Sequence, residues 1–300
     1  MDTSVLNQQF GLANSLRFVE DPSGLVLAEI ENPLASAKIC LHGAHLLTWR
    51  PRSTSIPVIW LSEAAALSPC SSVHSGVPVC WPWFGAHEDP CMPAHGYARN
   101  SAWDVVATGS EADGATRIAL RLRQNAQTAC MWPHATTLEM HVTVGESLKA
   151  ALVTSNTGNE DCIIGEALHT YFHVGDIAQA RVAGLEGATY ADKVEHFARK
   201  VQQGAVTFSG ETDRVYLDTE AECVIEDAAL RRRIHIAKSG SRSTVVWTPW
   251  QEKAEKMADI GERGWRSMLC VETANALDNR VIVPPGTSHT LAVEYRVESM

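Results

Sequence analysis

The pattern of apolar and polar positions along the chain is mostly that of β-strands. Residues Thr137–Val144 alternate, with Leu138, Met140, Val142 and Val144 on one face and polar side chains on the other. Arg117–Arg123 alternates less regularly, and Leu25–Ile30, Leu148–Val153, Val245–Trp247 and Thr290–Val297 also read as strands. Turn chemistry separates these runs at Asp21-Pro22-Ser23-Gly24, Asp113-Gly114, Asn156–Asn159, Ser239-Gly240 and Pro284-Pro285-Gly286. Helical signal is sparse. Glu252–Ile260, lying between Pro249 and Gly261, predicts one helix, and Ser62–Leu67 predicts a single short turn. Many short strands with few helices predict an all-β fold of large antiparallel sheets packed face to face as a β-sandwich. No fixed repeat, low-complexity tract or linker interrupts the pattern, so one domain over residues 1–300 is expected.

Composition narrows the function classes. The chain has 300 residues, 45% of them hydrophobic, which suffices for a large core. A net charge of −10 disfavours nucleic acid and anionic membrane surfaces as partners. No basic stretch followed by an apolar run opens the sequence, and no run of about 18 apolar residues could span a membrane. Eight cysteines (Cys40, Cys70, Cys80, Cys91, Cys130, Cys162, Cys223 and Cys270) are scattered without a CxxC motif, several within apolar runs. They are read as free thiols of a reduced, cytoplasmic protein. The even count also permits disulfides.

Four segments carry residues that are costly or odd for a plain core. Gly76–Gly85 contains Pro78 and Pro82, which do not suit a central strand, together with Trp81, Trp83 and Phe84. Such a segment is either an apolar plug between strands or a stiff aromatic wall on which a sugar ring could pack. Ala94–Arg99 places His95 and Arg99 around Gly96, a surface turn or a pair of donors beside a close-approaching backbone. In Gly165–His173 read as a strand, Leu168, Thr170 and Phe172 share one face, and His169, Tyr171 and His173 share the other. A His-Tyr-His face suits a polyhydroxylated ligand. On a helix, His169 and His173 could form a metal pair, but the β-branched and aromatic content argues for a strand and no further ligand stands at a recognised spacing. Finally, Met268–Val271 leads an apolar run into Glu272, a carboxylate that is either structurally paired or functional. The adjacent Asp213 and Arg214 read most simply as a solvated turn, and Lys253 and Lys256 as a charged helix face.

The order of these motifs resembles the glucose-6-phosphate 1-epimerase family of the galactose mutarotase-like group, the aldose 1-epimerases. The resemblance runs from about residue 20 to 298 through Gly76–Gly85, His95–Asn100, Leu168–Phe172, Glu211–Tyr216, Trp247–Ala254 and Cys270–Glu272. It implies the large antiparallel β-sandwich that the strand pattern predicts independently. It also implies exchange of α and β anomers of a hexose-6-phosphate without metal or organic cofactor. By resemblance, His169 and Glu272 are the catalytic residues, and His95, Arg99 and Asp213 bind the sugar. One departure is visible: the family carries an arginine where this chain has His74, a position implicated in holding substrate. Histidine lacks the bidentate fork of arginine and is mostly neutral at pH 7. His74 is therefore a candidate substrate-binding residue in place of that arginine, with Arg99, Arg214 or Lys253 able to compensate. The expected partner is a small sugar phosphate, acting on a monomer.

Anomer exchange requires a base at the C1 hydroxyl and an acid at the ring oxygen. A glutamate of ordinary pKa about 4.3 supplies the base, and a histidine of about 6.5, raised by a nearby carboxylate, supplies the acid. The expectation is Glu272 as base and His169 as acid, with Trp81 or Trp83 against the ring. Alternatives are a mutarotase for unphosphorylated aldoses, a non-catalytic sugar-binding sandwich and a metal-dependent isomerase or lyase.

Overall fold

The computed structural model describes residues 2–68 and 73–300, and its strands are joined in antiparallel sheets. The predicted strands are present: Val26–Glu31, Thr116–Leu122, Thr136–Val144, Leu148–Asn156, Ser243–Thr248 and Ser288–Ser299 contain or closely match the alternating runs. Alternation is strongest in Thr136–Val144, where every second side chain is buried, because one face of the strand meets the core and the other meets water. Only three short α-helices occur among the described residues, Thr3–Phe10, Ala126–Met131 and Trp250–Ala254. The helix expected over Glu252–Ile260 is thus earlier and shorter. Its side chains after Ala254 enter turns that carry Asp259 and Ile260 inward rather than extending a charged face. No helix is long and apolar enough to cross a membrane.

Two large sheets form the body of the fold. A nine-stranded sheet includes the long strand Ser288–Ser299 between Arg232–Ser239 and Leu148–Asn156. An eight-stranded sheet contains, in neighbouring order, Thr212–Tyr216, Ser243–Thr248 and Met268–Asn275. The last of these pairs with both Glu166–Leu168 and Tyr171–His173. A four-stranded meander over Leu16–Pro51 packs beside them: Trp49 donates its indole N–H to Gly145 O, and Asn32 its amide to Val144 O.

The sheets meet through large side chains. Phe172 stands edge-on to Tyr295 with ring centroids 5.1 Å apart. The Thr170 and Tyr295 hydroxyls share a 2.6 Å hydrogen bond, and Trp81 donates to the Thr154 hydroxyl at 3.0 Å. Phe172, Trp81 and Tyr295 are all fully buried, and burying a large apolar side chain contributes roughly 1.5–3 kcal/mol. Met268–Asn275 is buried at every position. The seven cysteines among the described residues are free, and Cys70 lies outside the described residues.

Candidate active site

Register brings His169 and Glu272 together. Leu168 pairs with Thr273 and Tyr171 with Cys270, so His169 falls opposite Glu272 where the ladder breaks between two short strands. Directly opposed residues of an antiparallel pair project to the same side. The same register continues outward: Cys270 opposes Trp247, and Trp247 opposes Asp213. One face of the sheet therefore presents His169, Glu272, Tyr171, Trp247 and Asp213, while Thr170 and Phe172 point back to Tyr295. The sequence-derived division of Leu168–His173 into two faces holds.

His169 Nε2 lies 3.4 Å from Glu272 Oε1, with the side chains 12% and 1% exposed. The imidazole stacks on Tyr171 at 5.0 Å, with 13° between the planes, and meets the edges of Trp247 and His95 at 6.1 and 5.7 Å. This packing fixes the ring while leaving His169 Nδ1 and Glu272 Oε2 without partners. Unpartnered buried polar atoms are costly and mark a place where a ligand can supply the missing bonds.

His95 is held beside them by its loop. It adopts φ +63°, and Gly96 follows at φ +73°. A Cβ on Gly96 would stand 2.0 Å from Trp81 O, so only glycine fits this approach. Gly85 N donates to His95 Nδ1 at 3.4 Å, which leaves the His95 proton on Nε2. Trp81 itself is buried between the sheets and cannot reach a sugar, contrary to expectation. Trp83 donates to Pro93 O and meets His87 at a tilt, ring centroids 4.7 Å apart. The apolar-plug reading holds for Trp81, and Trp247 is the indole that borders His169.

Burial reverses the expected charges. It pushes His169 well below 6.5, and the neighbouring His95, Arg99 and His74 add to the effect. Burial likewise holds Glu272 well above its ordinary value, reinforced by Asp213 and opposed by Lys193. The expectation of an ionised Glu272 raising His169 is therefore corrected. Desolvation outweighs their attraction, and burial favours the neutral form of each side chain. Burial also lowers His95 to about 3, with Arg99, Lys193 and His74 contributing.

The remaining predicted residues separate. Asp213 lies on Thr212–Tyr216 rather than in a solvated turn, buried and 3.0 Å from Lys193 Nζ. Burial raises its carboxyl, while Lys193 opposes the rise. Arg214, next in the strand, projects to the opposite side and lies over Tyr190 at 4.9 Å, so it cannot compensate for the missing arginine. Arg99 donates to Ala94 O at 2.9 Å, and its buried Nε has no partner. His74 is pinned by Asp259, which accepts from its backbone N at 2.7 Å and contacts its Nδ1 at 2.9 Å. Lys253 pairs with Glu211.

Lys193, Trp247 and Asp259 are the site residues that sequence reasoning missed. Trp247 could have been found, since strand alternation places it in register with Asp213. Lys193 and Asp259 arrive from a 3-10 turn and an irregular segment, where no periodicity reports direction. Among the described residues no group of three or more His, Cys, Asp or Glu side chains is arranged to hold a metal ion.

Comparison with known proteins agrees with this architecture. The aldose 1-epimerase family profile matches residues 27–296. An Escherichia coli (strain K12) protein named "Putative glucose-6-phosphate 1-epimerase" is 37% identical over 274 residues, covering 91% of this chain and 90% of that protein. A Salmonella typhimurium structure described as a "putative mutarotase (YeaD)" is 33% identical. It superposes with a TM-score of 0.90 over 97% of this chain and 96% of that one. A galactose mutarotase related enzyme from Lactobacillus acidophilus is 12% identical at a TM-score of 0.71, covering 91% of this chain and 97% of that one, and shares the fold. With the family profile spanning nearly the whole chain, and with relatives this similar along their full length, the protein belongs to the aldose 1-epimerase family.

Proposed function

We propose that the protein is a hexose-6-phosphate mutarotase in which His169 and Glu272 pass one proton between them. The observation that carries this reading is the buried His169–Glu272 pair, 3.4 Å apart and lacking partners at Nδ1 and Oε2, on a face shared with Asp213.

When a closed sugar enters, its hydroxyls solvate the Glu272 carboxylate in place of absent protein donors, and the proton moves to His169. Glu272 then takes the proton of the C1 hydroxyl as His169 gives one to the ring oxygen, and the C1–O5 bond breaks to leave the aldehyde. The pair is now neutral, with its proton on Glu272, the distribution that burial favours without ligand. After rotation about C1–C2, O5 attacks C1 from the other face. His169 takes back the O5 proton and Glu272 returns one to O1. No net proton is gained or lost. Each such group contributes roughly 10²–10⁴-fold. Asp213 accepts sugar hydroxyls, and Lys193 offsets its charge. His95 donates from Nε2.

Two considerations support the phosphate. The relative 37% identical to this chain carries glucose-6-phosphate in its name. Arg99 also places positive charge near His169 in a chain of net charge −10. A second reading, exchange of unphosphorylated aldoses, is favoured by the fact that the nearby cations already have partners: His74 with Asp259, Lys193 with Asp213, Lys253 with Glu211. Polarimetry with glucose-6-phosphate, galactose-6-phosphate, glucose and galactose separates the two. Acceleration confined to the phosphorylated sugars is expected. Equal rates would select the second reading, and binding without acceleration would remove catalysis.

A further inference from the structure

The strand pair beside His169 and Glu272 also carries Glu166, which makes a second Glu–His contact with the opposing sheet. Glu166 opposes Asn275 in the ladder, each three residues along its strand from the reacting pair. An odd separation in a strand turns the side chain to the other face, so this contact lies behind the site, between the sheets. There Glu166 Oε1 accepts from His289 Nε2 at 2.9 Å and from Asn275 Nδ2 at 3.0 Å. Asn275 Nδ2 also donates to Gly240 O at 2.8 Å and stands 3.2 Å from His289 Nε2, and Asn275 Oδ1 accepts from Arg242 N at 3.0 Å. His289 belongs to Ser288–Ser299 of the opposing sheet, the strand whose Tyr295 holds Thr170 and Phe172.

We infer that Glu166, Asn275 and His289 form a clasp of positioning residues that fixes the separation of His169 and Glu272. The ladder is broken at His169, and no hydrogen bond spans the reacting pair at 3.4 Å. The alignment of the two strands must be set elsewhere, and the clasp locks it at Glu166–Asn275, the outermost of the three regular pairs that lead up to the break. Glu166 is fully buried and its Oε2 has no partner, so the carboxylate depends wholly on contacts at Oε1. Burial pushes His289 down, yet the hydrogen bond and charge of Glu166 overcome this and leave its pKa raised, as a charged clasp requires. Misplacing reacting groups by about 1 Å costs on the order of 100-fold in rate, so a partly loosened clasp costs roughly tenfold.

The inference rests on the proposed pairing of His169 and Glu272, and the test separates the two. Anomer exchange with glucose-6-phosphate and glucose is measured for wild type, Glu166→Ala, Glu166→Gln and His289→Ala, together with thermal unfolding and the His169 imidazole ¹⁵N shift. Glu166→Ala is expected to lower kcat about tenfold with KM within about twofold. Glu166→Gln, which still accepts from Asn275, restores most of kcat, and His289→Ala falls between them. A folded Glu166→Ala protein with wild-type kcat, or a loss that falls on KM, overturns the clasp. Should Glu166→Ala not fold, His289→Ala decides by the same criteria. The ¹⁵N shift needs no turnover: it is expected to move in Glu166→Ala and to stay near wild type in Glu166→Gln. An unmoved shift in Glu166→Ala overturns the clasp even if wild type accelerates no sugar, a result that would count separately against the reaction.

Discussion

Two His–Glu pairs flank the paired strands Glu166–Leu168 and Met268–Asn275, one on each face of the sheet, and their surroundings act on them oppositely. His289 and Glu166 touch at 2.9 Å, and His289 is held above its ordinary pKa. His169 and Glu272 stand at 3.4 Å, and burial shifts both toward their neutral forms. The difference lies in what surrounds each contact. His289 is 19% exposed on its side chain and has a direct hydrogen bond to its carboxylate. His169 is enclosed by Tyr171, Trp247 and His95, and burial, with His95 and Arg99 nearby, disfavours its positive charge. A short, bonded pair is a stable ion pair and builds structure. A longer, unbonded pair in an aromatic enclosure keeps its proton uncommitted, and only such a pair can pass it to a ligand.

The comparison is broken most strongly by acid. His45 is lowered by burial to about 4 and His95 to about 3, and burial also holds His169 well below its ordinary value. As pH falls below 6.5 the unfolded chain binds protons that these buried rings exclude, so stability is lost as pH falls. Each contributes up to about 1.4 kcal/mol per pH unit. Urea unfolding between pH 7 and pH 5 should show a steep loss, less steep by about that amount in His169→Gln. His289 has the opposite sign: its stabilisation is full below 6.5 and disappears as pH rises through its raised pKa. His289→Gln should therefore cost more stability at pH 6 than at pH 9.

A smaller effect is expected at Glu272. The unfolded chain ionises this carboxyl near its ordinary value, while the native protein holds it protonated to well above that. The native state is thus progressively penalised as pH rises through that interval. Glu272→Gln should raise unfolding stability at pH 8 by about 1–2 kcal/mol while removing activity, and an unchanged or lowered urea midpoint would contradict this. The equivalent Glu166→Gln change should destabilise at pH 6, because it discards an ion pair that is made. Smallest is Lys193→Met, which leaves Asp213 buried without its counter-charge. KM for sugar substrates should rise about fivefold with kcat nearly unchanged; a kcat loss of equal size would assign Lys193 to the reacting atoms instead.

Much of the fold was legible because strand alternation is a local signal. Thr136–Val144 and Ser288–Ser299 could be read directly, and the two faces of Leu168–His173 followed from period two. The helix near Lys253 was misplaced because charge-rich sequence fits both a helix and the turns that deliver Asp259. Glu272 was visible as a carboxylate at the end of an apolar run, but its partner depends on register across a hundred residues of chain. The sequence around Glu166 and Glu272, both buried, gives no hint that one meets its histidine at 2.9 Å and the other at 3.4 Å. That difference, like the enclosure of His169 by side chains of Trp247 and His95, is supplied only by tertiary structure. Trp81 was misread for a related reason: an aromatic side chain in a proline-rich segment looks the same in sequence whether it lines a site or fills the space between sheets.

The central claim is that His169 and Glu272 work as one proton-carrying unit. A double-mutant cycle on anomer exchange tests it most directly, with NMR magnetisation transfer measuring α-to-β exchange of glucose-6-phosphate, glucose, galactose-6-phosphate and galactose for wild type, His169→Gln, Glu272→Gln and the double variant. The account predicts that, with the sugar wild type turns over, either single change returns the rate to near the spontaneous value and the double variant is no slower. Losses that simply multiply, or a single variant keeping most of the wild-type rate, would contradict it.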